Sequence, residues 1–337
     1  MDTLSEILRG VRLTGAVFLR AELSAPWCVG VPTADVVAQL LMPSAEHLTR
    51  YHLVTEGRCT VKPEGGEPTT LEAGDIVVFP HHEAHLIGSD LHLAPASMRA
   101  ITERPDWQRL PLIRYGGGGE TAKLVCGFLA CDPRLCRPIL SALPTVVKVN
   151  LRSSPTGAWI ENSIRYAIEQ AMSPRPGGDA MLAKLSEVLF VETLRSYVDA
   201  LAPDRTGWFG GLRDPLVGAA LALMHQQPAR DWTLEELARQ VGASRTVLAE
   251  RFTHFIGESP IAYLTRWRLA IAADLLRSSR ASLVRIAETV GYQSEAAFNR
   301  AFKREYGVPP ATWRRNSTTS PAQTPESNDA AAQPTTD

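Results

Sequence analysis

The sequence has no apolar run long enough to cross a membrane. Such a span needs about 20 consecutive residues that are mostly apolar, and charged residues interrupt every apolar stretch of this chain earlier than that. The first residues, MDTLSEILRG, lack the basic and then apolar order of a secretory signal peptide. These absences predict a soluble protein that acts in the cytoplasm and makes no membrane contact.

Cysteine is scarce, with five residues in a chain of 337. An odd number of cysteines without a secretory signal argues against a framework of structural disulfides, so we expect reduced thiols. Cys126, Cys131 and Cys136 are spaced five apart, which is wider than the Cys-x2-4-Cys pairs typical of zinc sites. We interpret them as structural cysteines, and a thiol-based redox regulator remains an alternative function.

Net charge is also nearly absent, at -1, but it is unevenly distributed. From Arg230 to Asn316 there are 14 Lys and Arg against 9 Asp and Glu, whereas the remainder holds 21 against 27. A basic C-terminal region is compatible with a nucleic-acid partner, although a solvated surface can have the same excess.

Apolar patterning divides the chain into a β-rich part and a helical part. Over 11 to 135, short apolar runs such as YHLVTEG and DIVVFP alternate with turn clusters such as PEGGEP and GGGG, which predicts a sandwich or barrel. After about Asn150 the apolar residues recur at helical spacing. We therefore predict domains at 1–149, 150–206 and 207–316, followed by a polar, disordered tail at 317–337.

Two segments of the helical region repeat each other. The paired positions, at an offset of 50, are Ser244 and Ser294, Leu248 and Phe298, Phe252 and Phe302, Gly257 and Gly307, and Pro260 and Pro310. Each copy has a short helix that ends at a glycine, a serine that caps the next helix, and a second helix with apolar residues four apart. This pattern predicts a helix-turn-helix made twice.

The second helix of each unit should offer a polar face to DNA. If its apolar residues are buried, helical geometry turns ten others outward: Arg245, Thr246, Ala249, Glu250, Glu295, Ala296, Asn299, Arg300, Lys303 and Arg304. Arginine can pair with guanine and asparagine with adenine in the major groove. Between the units, PIAYLTRWRLAIAADLLRSS predicts one long helix, a rigid spacer that would let both units enter successive major grooves about 34 Å apart.

The region from about 215 to 315 closely resembles the DNA-binding domain of the AraC/XylS family of bacterial transcription regulators. The resemblance lies in TLEELARQVGASRTVLAERF, in RWRLAIAADLL, and in the segment from Gly291 to Arg314. It implies binding to double-stranded promoter DNA, commonly with activation through contact with RNA polymerase. One departure is Glu250, where the family often has a basic or amide residue; here the arginine comes next, at Arg251.

The N-terminal half resembles the cupin barrel. GDIVVFPHHEAHLIGS supplies Gly74, Pro80 and His85 of one motif, and RYHLVTEG supplies His52 and Glu56 of the other. It is also similar to the cupin-type sensor domain of one branch of the same regulator family. That resemblance implies an unidentified small-molecule effector, for which the candidate contacts are Trp27, Arg50, His52, Glu56 and His85.

We therefore predict an α+β multidomain protein. It consists of an N-terminal cupin-like β-barrel, a helical linker that could form a homodimer or pack on its own barrel, and a C-terminal all-α domain with two helix-turn-helix units. His52, Glu56 and His85 would suit iron, manganese or zinc, but Arg50 occupies the place of a further histidine ligand. We accordingly expect no metal, no cofactor and no catalytic residue, and a metal-dependent cupin enzyme is the alternative.

Overall fold

The computed structural model describes residues 4–5, 8, 13–33, 46–81, 83–101, 110–171, 177–202 and 205–318. Of the disordered tail predicted at 317–337, residues 317–318 instead belong to the last helix, and the rest lies outside the described residues. The chain folds into two compact units, one formed by Met1–Pro228 with Trp232–Leu264 and one formed by Ala229–Asp231 with Thr265–Asp337. Every helix among the described residues is too short or too polar to span a bilayer.

Within the described part of the first unit, eleven strands form its N-terminal portion. They are β1 (Thr14–Ser24), β2 (Cys28–Val31), β3 (His47–Glu56), β4 (Arg58–Pro63), β5 (Thr69–Glu72), β6 (Asp75–Phe79), β7 (His85–Gly88), β8 (Ala96–Ser97), β9 (Leu112–Gly116), β10 (Thr121–Cys131) and β11 (Val147–Asn150). Two short helices lie among them, α1 (Met98–Ile101) and α2 (Pro133–Leu140). The predicted β-rich region is confirmed.

Among the described residues, the strands form two sheets that enclose one apolar core. The larger sheet has the order β11-β6-β3-β10-β1-β9, and the smaller has the order β5-β4-β7-β2-β8. Alternate residues of both sheets point into the core, for example Leu19, Ala21 and Leu23 of β1 and Val29 and Val31 of β2. The predicted barrel is therefore present, with its interior filled by side chains.

Two long helices, α3 (Pro155–Ala171) and α4 (Gly178–Asp199), follow the barrel. The apolar face of α4 packs on β1, β10 and β11 of the larger sheet, and α3 packs against α4. The Tyr51 hydroxyl lies 2.8 Å from Ser186 Oγ of α4, and a Cβ on Gly15 would come within 2.6 Å of Ala183 O. The face of α4 therefore packs on its own barrel, which is one of the two arrangements open from the sequence, and the face of α3 packs on α4.

The first helix-turn-helix belongs to the same unit. It follows α5 (Trp208–Arg213) and α6 (Pro215–Gln226) and consists of α7 (Leu234–Gln240) and α8 (Arg245–Ile256). Gly242 has φ +72 in the turn, and Ser244 Oγ accepts a hydrogen bond from Val247 N at 3.2 Å. Leu248 and Phe252 are fully buried, whereas Phe255, one turn further along, is half-buried.

The second unit repeats this geometry. The long helix α9 (Pro260–Ser278) leads into it, and its further helices are α10 (Leu283–Thr289), α11 (Glu295–Tyr306) and α12 (Pro310–Thr318). Gly291 has φ +84, Ser294 Oγ accepts from Ala297 N at 3.2 Å, and Phe298 and Phe302 are fully buried. Both serine caps and both left-handed glycines predicted from the repeat are confirmed.

The spacer helix α9 has a wide buried face. The apolar residues at helical spacing in its sequence are Ile261, Leu264, Trp267, Ile271 and Leu275; of these, Leu264 and Trp267 are buried, whereas Ile261 is 36% exposed. Within the second unit, the fully buried α9 residues are Leu269, Ala272, Ala273 and Leu276. Small alanines let other helices approach α9 closely, so its core face is wider than one stripe.

Asp214 caps α6 and also pairs with α8. Its carboxylate accepts hydrogen bonds from Leu216 N at 3.0 Å and Val217 N at 2.9 Å, and Arg251 of α8 pairs with its second oxygen. Burial opposes ionisation of the carboxyl, but Arg251 and the two amides outweigh that effect, so the pKa of Asp214 lies below its ordinary value. One side chain thus fixes the start of α6 and the position of α8.

We predict that Asp214→Ala lowers the stability of the chain by about 2 kcal/mol, because it removes an N-cap and strands Arg251 without its partner. Asp214→Asn is the matched control, since asparagine retains the cap while losing the charge. It should cost less than about 1 kcal/mol, because the Arg251 side chain is 49% exposed and its ion pair is partly screened. Thermal unfolding measures both; equal losses for the two variants would contradict the cap as the main contribution.

Candidate functional site

The first recognition helix, α8, exposes a polar face opposite its buried side. Arg245, Thr246 and Glu250 are exposed, and Ala249 is half-buried between them and the core. Because Ser244 caps the helix and Leu248 packs in the core, the first turn projects its side chains into solvent. A helix N-terminus with exposed polar side chains is the part that helix-turn-helix proteins place against base edges.

The second recognition helix, α11, carries more positive charge on the corresponding face. Ala296, Arg300, Lys303 and Arg304 are exposed. Asn299 is half-buried, and its amide lies 3.5 Å from the Glu295 carboxylate. Three cations along one exposed helix face suit a polyanion such as the DNA backbone.

Arg251 has a structural position that the sequence did not reveal. Its guanidinium pairs with the buried carboxylate of Asp214 through Nε at 3.0 Å and through Nη2. This ion pair points Arg251 toward α6 and away from the face that carries Arg245 and Thr246. The basic residue that follows Glu250 therefore does not replace a base-reading residue at position 250. Only a contact between residues 37 apart reveals this role.

Four of the five candidate effector contacts are buried in the barrel, and the fifth is exposed. Trp27, Arg50, His52 and His85 are buried, whereas Glu56 is exposed and pairs with Lys123 at 2.8 Å. Strand alternation would put Glu56 on the same face as His52. The β3–β10 pairing shifts there: Val54 pairs with Leu124 and Glu56 pairs with Lys123, so β3 has one extra residue between two consecutive residues of β10.

This β-bulge reverses the side-chain alternation, so Glu56 points outward instead of into the barrel. The facial set of His52, Glu56 and His85 that was considered from the sequence is not assembled. Among the described residues there is no cluster of three or more His, Cys, Asp or Glu that could hold a metal ion. His81 hydrogen-bonds Leu143 O through Nε2 at 3.0 Å, and His82 lies outside the described residues.

His52 and His85 form a hydrogen-bonded chain with a thiol. His52 Nδ1 lies 2.9 Å from Cys126 Sγ, the two Nε2 atoms are 2.8 Å apart, and His85 Nδ1 lies 3.3 Å from Glu83 O. One assignment satisfies all three contacts: Cys126 donates to His52, His52 donates to His85, and His85 donates to the carbonyl. The opposite direction would leave a nitrogen lone pair facing Glu83 O.

The two imidazoles and the thiol of this hydrogen-bonded chain are electrically neutral. Burial, then His85 and Arg50, hold the pKa of His52 well below its ordinary value, and burial and Arg50 lower the pKa of His85 to about 3. Burial also raises the pKa of the Cys126 thiol. Neutral imidazoles and an un-ionised thiol make this cluster a poor nucleophile at neutral pH.

Arg50 is the buried cation of the interior. Its side chain is 2% exposed, and Nη1 donates to Pro32 O at 2.6 Å. Its Nε and Nη2 have no partner among the described residues. Burial lowers the pKa of the Arg50 guanidinium to about 10, so the group remains charged at neutral pH.

Two cavities adjoin the His52 and His85 side chains. A cavity of about 520 Å³ at the barrel mouth is lined by Pro32, Lys62, His85 and Met98, among others. An interior cavity of about 40 Å³ is lined by apolar side chains together with His52 and Cys126. The larger volume lies within the range of small-molecule sites. Trp27, by contrast, packs in the core.

The five cysteines are all buried, and all are free thiols. Burial raises the pKa of Cys28, and it raises that of Cys59 to about 12. Contact with the Cys131 thiol, and then burial, raise the pKa of Cys136. Un-ionised, buried thiols react slowly with oxidants, which does not favour the redox-regulator alternative.

The contacts that organise the barrel site join residues far apart in the chain. Cys126 and Pro32 were not among the candidate residues, although both contact one that was, His52 and Arg50 respectively. Cys126 faces His52 across the β3–β10 ladder, so a strand pairing could have found it. Nothing in the sequence marked the Pro32 carbonyl.

Comparison with known proteins agrees with both parts of the chain. A family described as Cupin matches residues 2–199, and one described as Helix-turn-helix domain matches residues 237–316. A putative AraC-like transcription regulator of Streptomyces lividans is 33% identical over 81% of this chain and 89% of its own length. A second protein of that description, from Streptomyces antibioticus, is 33% identical over 94% of this chain and 99% of its own.

The HTH-type transcriptional regulator AlkR of Acinetobacter baylyi is 29% identical over 94% of this chain and 100% of its own length. These relatives are similar along both the barrel and the helical region. The chain therefore belongs to the AraC-like family of DNA-binding transcription regulators, with an N-terminal cupin domain.

Proposed function

We propose that the chain activates transcription by reading promoter DNA through α8 and α11, under the control of a small effector bound in the barrel. The observation that carries this proposal is the division of each recognition helix into a buried apolar side and an exposed polar side. Leu248 and Phe252, and in the second unit Phe298 and Phe302, are fully buried. Their burial leaves the polar side chains accessible to a groove.

The two helices have different chemistry for this task. The face of α11 has Arg300, Lys303 and Arg304 exposed, so it can contact both bases and phosphates. The face of α8 has Arg245 and Thr246 but also an exposed Glu250, whose charge repels phosphate. We therefore propose that α11 supplies most of the affinity and that Arg245 supplies base contact in the first unit.

Activation would require contact with RNA polymerase, and the site of action would be promoter DNA in the bacterial cytoplasm. The relatives are transcription regulators and not enzymes, and we propose that this chain likewise catalyses no reaction. The exposed position of Glu56, outside the barrel, does not favour the metal-dependent alternative. Metal analysis of the purified chain, together with its DNA binding, tests this point directly.

We also propose that the chain forms a homodimer through α3 and α4. Large apolar side chains remain exposed on both helices: Trp159 at 60%, Tyr166 at 57%, Val188 at 42% and Met181 at 38%. On each helix the two residues are seven apart, so they share one face. Exposed apolar side chains grouped in this way are typical of an interaction surface.

Arg300→Ala should weaken binding to a cognate promoter fragment by about 1 to 3 kcal/mol and relax preference at one base pair, because a bidentate contact to a base is lost. Fluorescence anisotropy with the cognate fragment and its single-base variants measures both effects. Arg58→Ala is the matched control, since it removes the same charge from an exposed barrel residue. Equal losses on cognate and random DNA for Arg300→Ala would contradict base reading.

Lys303→Ala and Arg304→Ala should weaken binding to all duplexes by similar factors, because phosphate contacts carry no sequence information. Each lost contact should reduce the slope of log affinity against log salt by about 1. Titrations over a series of salt concentrations provide the slope. An unchanged slope in both variants would remove these residues from the interface.

Trp159→Glu combined with Tyr166→Glu should convert a dimer of the full chain into a monomer, because each change places a charge in an apolar contact. Light scattering after size exclusion measures the mass. Thr70→Glu, on the exposed face of β5, adds the same type of charge elsewhere and should leave the mass unchanged. A monomeric wild-type chain at micromolar concentration would contradict the dimer proposal.

A further inference from the structure

We infer that the effector is a small carboxylic acid. Its carboxylate pairs with the unoccupied edge of Arg50, formed by Nε and Nη2, and its apolar body occupies the cavity at the barrel mouth. This inference rests on the proposal that the barrel senses an effector, and it specifies the chemical class. It is carried by one group, a guanidinium that is buried and largely unpartnered among the described residues.

A buried charge is normally paired, because leaving water costs an ion far more than it costs a neutral group. Arg50 departs from this rule. It is 2% exposed, and its one hydrogen bond among the described residues runs from Nη1 to Pro32 O. Its Nε and Nη2 donate to nothing there, and burial is the main cause that lowers its pKa.

The neighbours of Arg50 cannot provide the missing acceptor. Both ring nitrogens of His52 and of His85 are engaged in the chain that runs from Cys126 to Glu83 O. Asp75, a buried carboxylate of the adjacent strand β6, is four residues from Phe79, which pairs with Arg50, and it is already bonded to Lys148, Asn150 and the amide of Glu72. Within the described residues, two donor groups of Arg50 therefore lack an acceptor.

The shape of the unoccupied edge selects a carboxylate. Nε–H and one N–H of Nη2 lie side by side on the guanidinium and point in parallel directions. Two parallel donors match the two oxygens of a carboxylate in a bidentate pair. A single uncompensated positive charge also matches the single negative charge of a monocarboxylate, whereas a phosphate dianion would bring excess charge into the interior.

The surrounding walls indicate the rest of the ligand. Pro32, which accepts the Arg50 hydrogen bond, and His85, which feels its charge, both line the mouth cavity of about 520 Å³. That cavity shares Val31 and Met98 with the apolar interior cavity. The lining of the mouth cavity is mainly apolar, with Lys62 and Glu64 also at its wall. Such a lining beside the Arg50 charge favours a ligand with an acid group on a hydrocarbon body.

The test is calorimetric titration of the full-length chain with sodium octanoate. Octan-1-ol and octylamine serve as probes with the same chain length and a neutral or positive head group. We expect octanoate to bind and to raise the thermal unfolding midpoint, with octan-1-ol weaker by about 10- to 100-fold. Octylamine should be weaker still, because its charge repels Arg50.

Variants of Arg50 separate binding from folding. Arg50→Met should abolish octanoate binding, yet its unfolding midpoint without ligand should equal or exceed that of the wild type, because an unpaired buried charge has been removed. Arg50→Lys keeps the charge but offers no parallel pair of donors, so it should bind octanoate with intermediate affinity. A midpoint for Arg50→Met well below the wild type would assign Arg50 a structural role and overturn the inference.

Other results would also overturn it. These are equal affinity for octanoate and octan-1-ol, undiminished octanoate binding by Arg50→Met, or a response to inorganic phosphate with none to octanoate or benzoate. Anisotropy with promoter DNA in the same preparations separates this failure from that of the proposed function. DNA binding without carboxylate binding would refute only the ligand class, whereas carboxylate binding without DNA binding would refute only the proposed DNA reading.

Discussion

This structure depends on how each recognition helix packs in the core, through a pair of large apolar side chains spaced one helical turn apart. Leu248 with Phe252, and Phe298 with Phe302, are wholly buried. A helix of 12 residues is marginal by itself in water, so its orientation is set by that packing and by its serine cap. With the apolar side fixed, the polar side must face solvent, and the same arrangement occurs twice in the chain.

The barrel interior, by contrast, buries polar groups, and each of them needs a hydrogen-bond or charge partner. His52, His85 and Cys126 are partners of one another in a neutral hydrogen-bonded chain, and Asp75 pairs with Lys148. Two donor groups of Arg50 have no partner within the described residues. A ligand that paired with this charge would stabilise the barrel by an amount that rises with the logarithm of ligand concentration above its Kd.

Local patterns predicted most of the elements, whereas contacts between distant residues escaped the sequence. The glycine and serine signals located both turns because their cause is local: a left-handed backbone and an amide in need of an acceptor. The β-bulge that turns Glu56 outward arises from pairing with β10, and the link from Arg251 to Asp214 joins separate helices. The apolar faces of α3 and α4 were visible, but the sequence could not reveal what they pack against, because apolar periodicity marks a buried face and not its partner.

The central claim is that both recognition helices contact DNA, each at its own part of the site. Hydroxyl-radical footprinting of the full-length chain on a selected promoter fragment tests it most directly. The account predicts two protected segments, of which one is lost when Arg245 and Thr246 are replaced by alanine and the other when Arg300 and Lys303 are replaced. A single protected segment, or loss of both segments in either variant while the fold is retained, would contradict it.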